Sequence, residues 1–374
     1  SIPPSVAQGR SGEALFFAYW GDAVGNDDAW STAVHCVETD LEEAAAAPKS
    51  VSLYSGFTGV SWTVAHLDGW LLELSDGDPN DVLDATLLEL VANRPWLGEY
   101  ELMNGLVGIG MYALERLLHP PAADCLVEVV GRLAEVARHS ECGASWWTPP
   151  ERLSAQRRVR FPAGAYDLGV AHGVAGVVGL LGKACAVDAV RPTARALLDD
   201  AVGWLLCQRL PATTGAFFPS FVAPDRAGPP ARSAWCYGDP GAAAALLLAA
   251  HAVGSPEWQA AALDIARLAA ARPLADCGVV DAGLCHGAAG LAHIFNRLYQ
   301  ATGLPEFRDA ALGWIERVFD YYRPGTGVGG FSVFRPDGLL ADPGFLEGAA
   351  GVGLALLAAA TPLEPRWDRL LLLS

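Results

Sequence analysis

Apolar positions recur with helical rather than strand spacing along most of the chain. Six Gly-x-x-Gly steps punctuate them: Gly56/Gly59, Gly105/Gly108, Gly173/Gly176, Gly238/Gly241, Gly287/Gly290 and Gly348/Gly351. The intervals between steps are 49, 68, 65, 49 and 61 residues. Each step opens an apolar run, and an amphipathic run follows, so the pattern predicts a helical-hairpin repeat. The apolar helices are expected over 105–119, 173–187, 238–253 and 287–302, with amphipathic partners over 122–139, 192–209, 256–272 and 305–322. Prolines at the start of several partners suit a first helical turn, where a missing N–H costs nothing. A pair over 12–20 and 27–46, read as lacking the glycine step, brings the count to seven. Seven pairs with apolar helices inside close into a ring. The expected fold is therefore all-α, an (α/α) toroid of about seven helical hairpins in a double ring, as a single domain over 1–374.

In such a ring the glycine steps lie at one end. Glycine permits close approach and unusual φ in a crowded turn, and converging helix N-termini favour an anion there. For Gly56/Gly59 and Gly348/Gly351 close helix packing is explanation enough.

The 374 residues are 52% hydrophobic, enough for a large core. A formal net charge of -17 argues against general electrostatic binding to nucleic acid. The longest apolar run, 241–253, is too short to span a bilayer, and the start of the chain has no signal-like segment, so no integral membrane protein is expected. Eight scattered cysteines suit reduced thiols in a cytoplasm better than a disulfide scaffold. One stretch departs from the acidic background: an insertion over about 141–166 carries Trp146, Trp147, Arg152, Arg157, Arg158 and Arg160, and is expected at the rim, against a peptide substrate.

Two stretches carry the candidate chemistry. Trp235-Cys236-Tyr237-Gly238-Asp239-Pro240-Gly241 and Leu284-Cys285-His286-Gly287-Ala288-Ala289-Gly290 each place a thiol in the turn at the mouth of a helix. Cys236, Cys285 and His286 make a Cys2His set that suits one Zn2+ per chain, with the fourth tetrahedral position open. His172 precedes Gly173 as His286 precedes Gly287, so ring closure brings both imidazoles to one mouth, where a non-ligating histidine suits proton transfer.

These motifs, with the upstream Ala171-His172-Gly173-Val174-Ala175-Gly176, resemble the lanthionine synthetase C-like proteins, the lanthipeptide cyclases and their relatives, over roughly residues 50–360. The resemblance implies the same toroid and assigns acid–base work to His172, assisted by a carboxylate near the preceding glycine step. There the family commonly has Tyr-Asp-x-x-x-Gly where this chain has Tyr100-Glu101-Leu102-Met103-Asn104-Gly105, so Glu101 is the carry-over. Asp167, five residues before His172, competes for the role. Arg232 and Tyr237 also match active-site positions, as a substrate or carboxylate partner and an oxyanion donor respectively.

The implied activity is zinc-dependent lanthipeptide cyclisation: substrate cysteine thiolates add to dehydroalanine or dehydrobutyrine and form lanthionine or methyllanthionine. Implied partners are a dehydrated precursor peptide of leader plus core, a separate dehydratase, since the length is close to that of one toroid, and an exporter. The alternatives are a relative that adds glutathione or another thiol to dehydroamino acids, and a non-catalytic peptide-binding scaffold.

Overall fold

The computed structural model describes residues 4–46, 50–72, 77–223 and 226–374. In chain order, α1 (Arg10–Val24) pairs with α2 (Asp27–Ala46), α3 (Phe57–Leu67) is followed by α4 (Asp81–Ala92), and α5 (Leu106–Glu115) pairs with α6 (Pro120–Val136), on which α4 packs rather than on α3. After the short α7 (Ala155–Arg160), α8 (Val174–Ala184) pairs with α9 (Arg191–Cys207), α10 (Asp239–Val253) with α11 (Pro256–Ala271) and α12 (Ala288–Thr302) with α13 (Pro305–Asp320), before a last helix, α14 (Ala349–Ala360). Helices α1, α3, α5, α8, α10, α12 and α14 follow one another around the inside, and α14 returns to α1, which closes the ring. The chain is an (α/α) toroid. No helix among the described residues is long and apolar enough to cross a membrane.

Helix composition decides which ring each joins. In α8 every residue except Lys183 is buried, as expected of a helix apolar all round. In α13 only Phe307, Ala311, Trp314 and Val318 are, spaced as one helical stripe. Prolines begin α6, α9, α11 and α13 within their first two residues. Helix α5 stops at Glu115, short of the expected 119, because His119 already caps α6 and the proline pair Pro120-Pro121 starts it.

Three expectations need correction. The first pair does carry a glycine step, Gly9/Gly12, hidden by the polar Arg10 and Ser11 inside it. The steps at Gly56/Gly59 and Gly348/Gly351 are the same turn as the rest. In all seven, a Cβ on the second glycine would fall 1.8 to 2.4 Å from the carbonyl oxygen six residues earlier, those of Val6, Leu53, Leu102, Val170, Trp235, Leu284 and Phe345. The capping glycines themselves are extended, so lack of space rather than unusual φ imposes the motif. Finally, the seventh pair is incomplete. Among the described residues α14 has no outer α-helix; a 3-10 turn over Arg366–Leu371 follows it and buries Trp367, Leu370 and Leu371. There the Trp235 indole donates to the Leu371 carbonyl at 2.8 Å.

Strands are short and peripheral. β1 (Arg138–Ser140) pairs with β2 (Gly143–Ser145), and β3 (Trp147–Thr148), β4 (Ala165–Asp167), β5 (Phe221–Ala223) and β6 (Arg226–Ala227) form an antiparallel sheet. It sets Trp147 opposite Tyr166 and Asp167 opposite Phe221. The last hairpin is β7 (Val333–Arg335) with β8 (Gly338–Leu340).

Candidate active site

A belt of backbone hydrogen bonds joins neighbouring units at the mouth. The N–H of Ala171 donates to the carbonyl of Cys236 (3.4 Å), Cys236 to Cys285 (3.2 Å), Cys285 to Leu346 (2.7 Å), Leu346 to Ala7 (3.1 Å) and Ala7 to Tyr54 (2.9 Å). Every residue in the belt lies two positions before a capping glycine. Cys236 and Cys285 are consecutive members, so two thiols 49 residues apart in sequence meet because they hold the same place in adjacent units. The next position, immediately before the glycine, is held by His172, Tyr237, His286 and Glu347 in four successive units.

One ligand atom each from Cys236, Cys285 and His286 lies within 4.8 Å of the other two. The Cys285 thiol hydrogen-bonds Cys236 and, against the cost of burial, holds it well below the usual thiol range; His286 and Arg232 add favourable charge. His286 Nδ1 is buried without a hydrogen-bond partner, while Nε2 faces Glu347 Oε1 at 3.5 Å. A buried thiolate, a second thiol and an unpartnered imidazole nitrogen converging on one point fit a tetrahedral cation with one open position. A second cluster, Asp78, Asp81 and His119, does not. Arg116 already supplies its positive charge, 2.7 Å from Asp78 and 3.7 Å from Asp81.

The structure separates the two carboxylates that the sequence left in competition. Glu101 Oε2 lies 2.6 Å from His172 Nδ1. Glu101 is itself fixed by the N–H groups of Met103 (2.9 Å) and Asn104 (2.7 Å). Burial disfavours an imidazolium, yet Glu101, with help from Asp167, raises the His172 pKa above the usual histidine value. Asp167 instead accepts from the Gly169 N–H at 2.8 Å, a turn repeated by Asp281 with Gly283 (3.1 Å) and Asp342 with Gly344 (2.8 Å). It is a recurring turn acid, pushed by burial to a pKa of about 6.

The remaining residues depart from the sequence reading in detail. Arg232 Nη2 lies 3.9 Å from Cys236 Sγ, so it faces a sulfur rather than a carboxylate. The Tyr237 hydroxyl accepts from Arg157 at 2.8 Å and also bonds Asp167, so it is already engaged. Its ring stacks near His172, with centroids 5.9 Å apart.

The four arginines of the insertion do not act together. Arg152 donates to the Gly98 carbonyl (2.9 Å) and Arg158 to that of Pro150 (2.9 Å), which braces the insertion. Arg160 lies over the Phe161 ring, and Trp146 is fully buried. Arg152 and Arg157 both line the site, but Arg157 is the one that meets Tyr237 and Asp167. Its guanidinium lies 4.4 Å from the Tyr237 ring centroid and 4.2 Å from that of Phe221, and Nη1 is 3.9 Å from Asp167. Together with Glu101, Asp167 and His172 it lines a cavity of about 240 Å³. Nothing local in the sequence distinguished Arg157 from its neighbours. Glu347, by contrast, was legible: Leu346-Glu347-Gly348 aligns with Cys285-His286-Gly287.

Comparison with known proteins follows the same lines. The model of the lanthionine synthetase C-like protein family matches residues 1–372. The nisin biosynthesis protein NisC of Lactococcus lactis subsp. lactis is 24% identical over 329 residues, which cover 82% of this chain and 73% of that protein. Among solved structures, a nisin cyclase superposes with a TM-score of 0.82 at 21% identity, covering 99% of this chain and 92% of that one. A sugar epimerase from a ruminal bacterium shares the fold more distantly, with a TM-score of 0.52 at 11% identity over 94% of this chain and 86% of the other.

Proposed function

Because the chain belongs to the lanthionine synthetase C-like family, we propose that it is a zinc-dependent lanthipeptide cyclase acting on a dehydrated precursor peptide. The observation that carries this reading is the convergence of Cys236, Cys285 and His286 beside the Glu101–His172 pair. The three converging residues would hold one Zn2+. When bound, zinc would lower the pKa of a substrate cysteine thiol and keep its sulfur ionised but nucleophilic.

The sulfur adds to the β-carbon of dehydroalanine or dehydrobutyrine, and the enolate left at the α-carbon takes up one proton. His172, paired through Nδ1 with Glu101 and with its pKa raised by that pair, supplies it, and the proton that the substrate cysteine gives up as it ionises restores the imidazolium. Glu101 thereby orients the ring and stabilises its charge. Arg157, with donors left over from its bond to Tyr237, holds a carbonyl of the peptide as negative charge grows there. Arg232 shields the Cys236 thiolate. Tyr237 fixes Arg157 and Asp167, and Asp167 holds the turn that carries His172. All eight cysteines are free, as suits a reducing cytoplasm.

The test is mass spectrometry after incubation with a dehydrated, cysteine-containing peptide. Ring closure leaves the mass unchanged and removes the alkylatable thiol. A gain of one glutathione mass supports the thiol-addition alternative instead, and binding with neither change supports the scaffold.

A further inference from the structure

We propose that Glu347 is the positioning residue of the metal site: it accepts a hydrogen bond from His286 Nε2–H and so presents Nδ1 to the ion. This deepens, and rests on, the reading of Cys236, Cys285 and His286 as zinc ligands.

The inference starts from register. Glu347 holds in the seventh unit the place that His286 holds in the sixth, immediately before the capping glycine, so the belt sets the two side chains next to each other at the mouth. The bond from the Cys285 N–H to the Leu346 carbonyl, at 2.7 Å, locks the two segments together one residue upstream. Contact is close enough that a Cβ on Gly283 would fall 2.9 Å from Glu347 Cα. Glu347 therefore cannot drift relative to the loop that carries two of the ligands.

Side-chain geometry then decides the roles of the imidazole nitrogens. Nε2 faces Glu347 Oε1 at 3.5 Å, and Nδ1 is buried with no partner. With a carboxylate facing Nε2 and the Cys236 sulfur as the ring's other close neighbour, the tautomer protonated at Nε2 leaves the Nδ1 lone pair for a ligand. The distance is long for a finished hydrogen bond. A cation at Nδ1 strengthens Nε2–H as a donor, and the paired carboxylate in turn raises the basicity of the ligand. Glu347 is itself held by an ion pair with Arg335 from β7, so the last hairpin is tied through it to the metal loop. Arg335 engages Oε2 and so aims the carboxylate, leaving Oε1 toward His286. The roles thus divide: Glu101 fixes the catalytic histidine, Glu347 the ligating one.

The experiment uses the metal alone. Wild type, Glu347→Ala and Glu347→Gln are prepared metal-free, and Zn2+ affinity is measured by competition with a chromogenic chelator. Co2+ absorption reports the ligand set, and the melting temperature of the metal-free proteins reports folding. The expected result is a roughly 10- to 100-fold loss of Zn2+ affinity in Glu347→Ala, a smaller loss in Glu347→Gln, an altered Co2+ spectrum and an unchanged metal-free melting temperature. Wild-type affinity and spectrum in Glu347→Ala overturn the proposal while leaving the zinc site intact. Equal losses in both variants together with a lowered metal-free melting temperature also overturn it, since Glu347 is then a folding contact. A folded wild type that takes up no Zn2+ removes the underlying site as well.

Discussion

Glu101 Oε2 lies 2.6 Å from Nδ1 of His172, and Ala171, next to that histidine, is bonded through the belt to Cys236 and on to Cys285. The pair gives His172 a raised pKa. A histidine whose pKa is higher in the folded protein contributes stability below its unfolded pKa of about 6.5, and that contribution is lost as the pH rises through the folded value.

Glu101→Gln removes the charge and retains the shape. Burial then dominates, so the His172 pKa falls, which a histidine NMR titration reads directly. Cyclisation slows about 100-fold or more, and the alkaline limb of its pH profile moves to lower pH.

Arg157→Gln removes the arginine of the insertion that meets Tyr237 and Asp167 in the site. A charged hydrogen bond to a peptide carbonyl is worth about 1.5–3 kcal/mol, so kcat/KM with a dehydrated peptide falls roughly 10- to 100-fold. Arg160→Gln, on the solvent side of the same helix, leaves kcat/KM within about twofold of wild type.

Asp167 behaves oppositely to an ordinary surface acid. Its pKa of about 6 exceeds the unfolded value, so its protonated form favours the fold below pH 4, and that stability is lost as the pH rises through 6. Asp167→Asn keeps an acceptor for the Gly169 N–H, so urea titrations between pH 4 and 7 show a flatter decline than wild type. The difference is bounded at about 3 kcal/mol.

Gly290→Ala tests the shared turn. Its Cβ would lie 1.8 Å from the Leu284 carbonyl oxygen, a clash with backbone that no side-chain rotation relieves. A loss of about 3 kcal/mol in urea unfolding is expected, with weakened Zn2+ binding.

Much of this was legible in the sequence because the repeat carries it. The recurring glycine steps pointed to the toroid, and the placement of Cys236, Cys285, His286 and His172 before their glycines implied that they would meet. The step at Gly9/Gly12 escaped because Arg10 and Ser11 interrupt the apolar pattern. The missing seventh outer helix escaped because Trp367, Leu370 and Leu371 read as well for a helix as for a 3-10 turn. Glu101 and Asp167 could not be told apart from spacing alone. What separates them is the partner: Glu101 meets the His172 imidazole directly, while Asp167 meets its own turn, Tyr237 and Arg157. Arg157 was beyond sequence reasoning, since its partners Tyr237 and Phe221 lie 80 and 64 residues further along the chain.

The most direct test of the account is the metal content of the purified protein, by inductively coupled plasma mass spectrometry, for wild type, Cys236→Ala and Cys285→Ala. The account predicts one zinc per chain in wild type and its loss in both variants, with the fold retained by circular dichroism. A folded wild type that is metal-free and is not reconstituted by added Zn2+, or a full zinc complement in either variant, contradicts it.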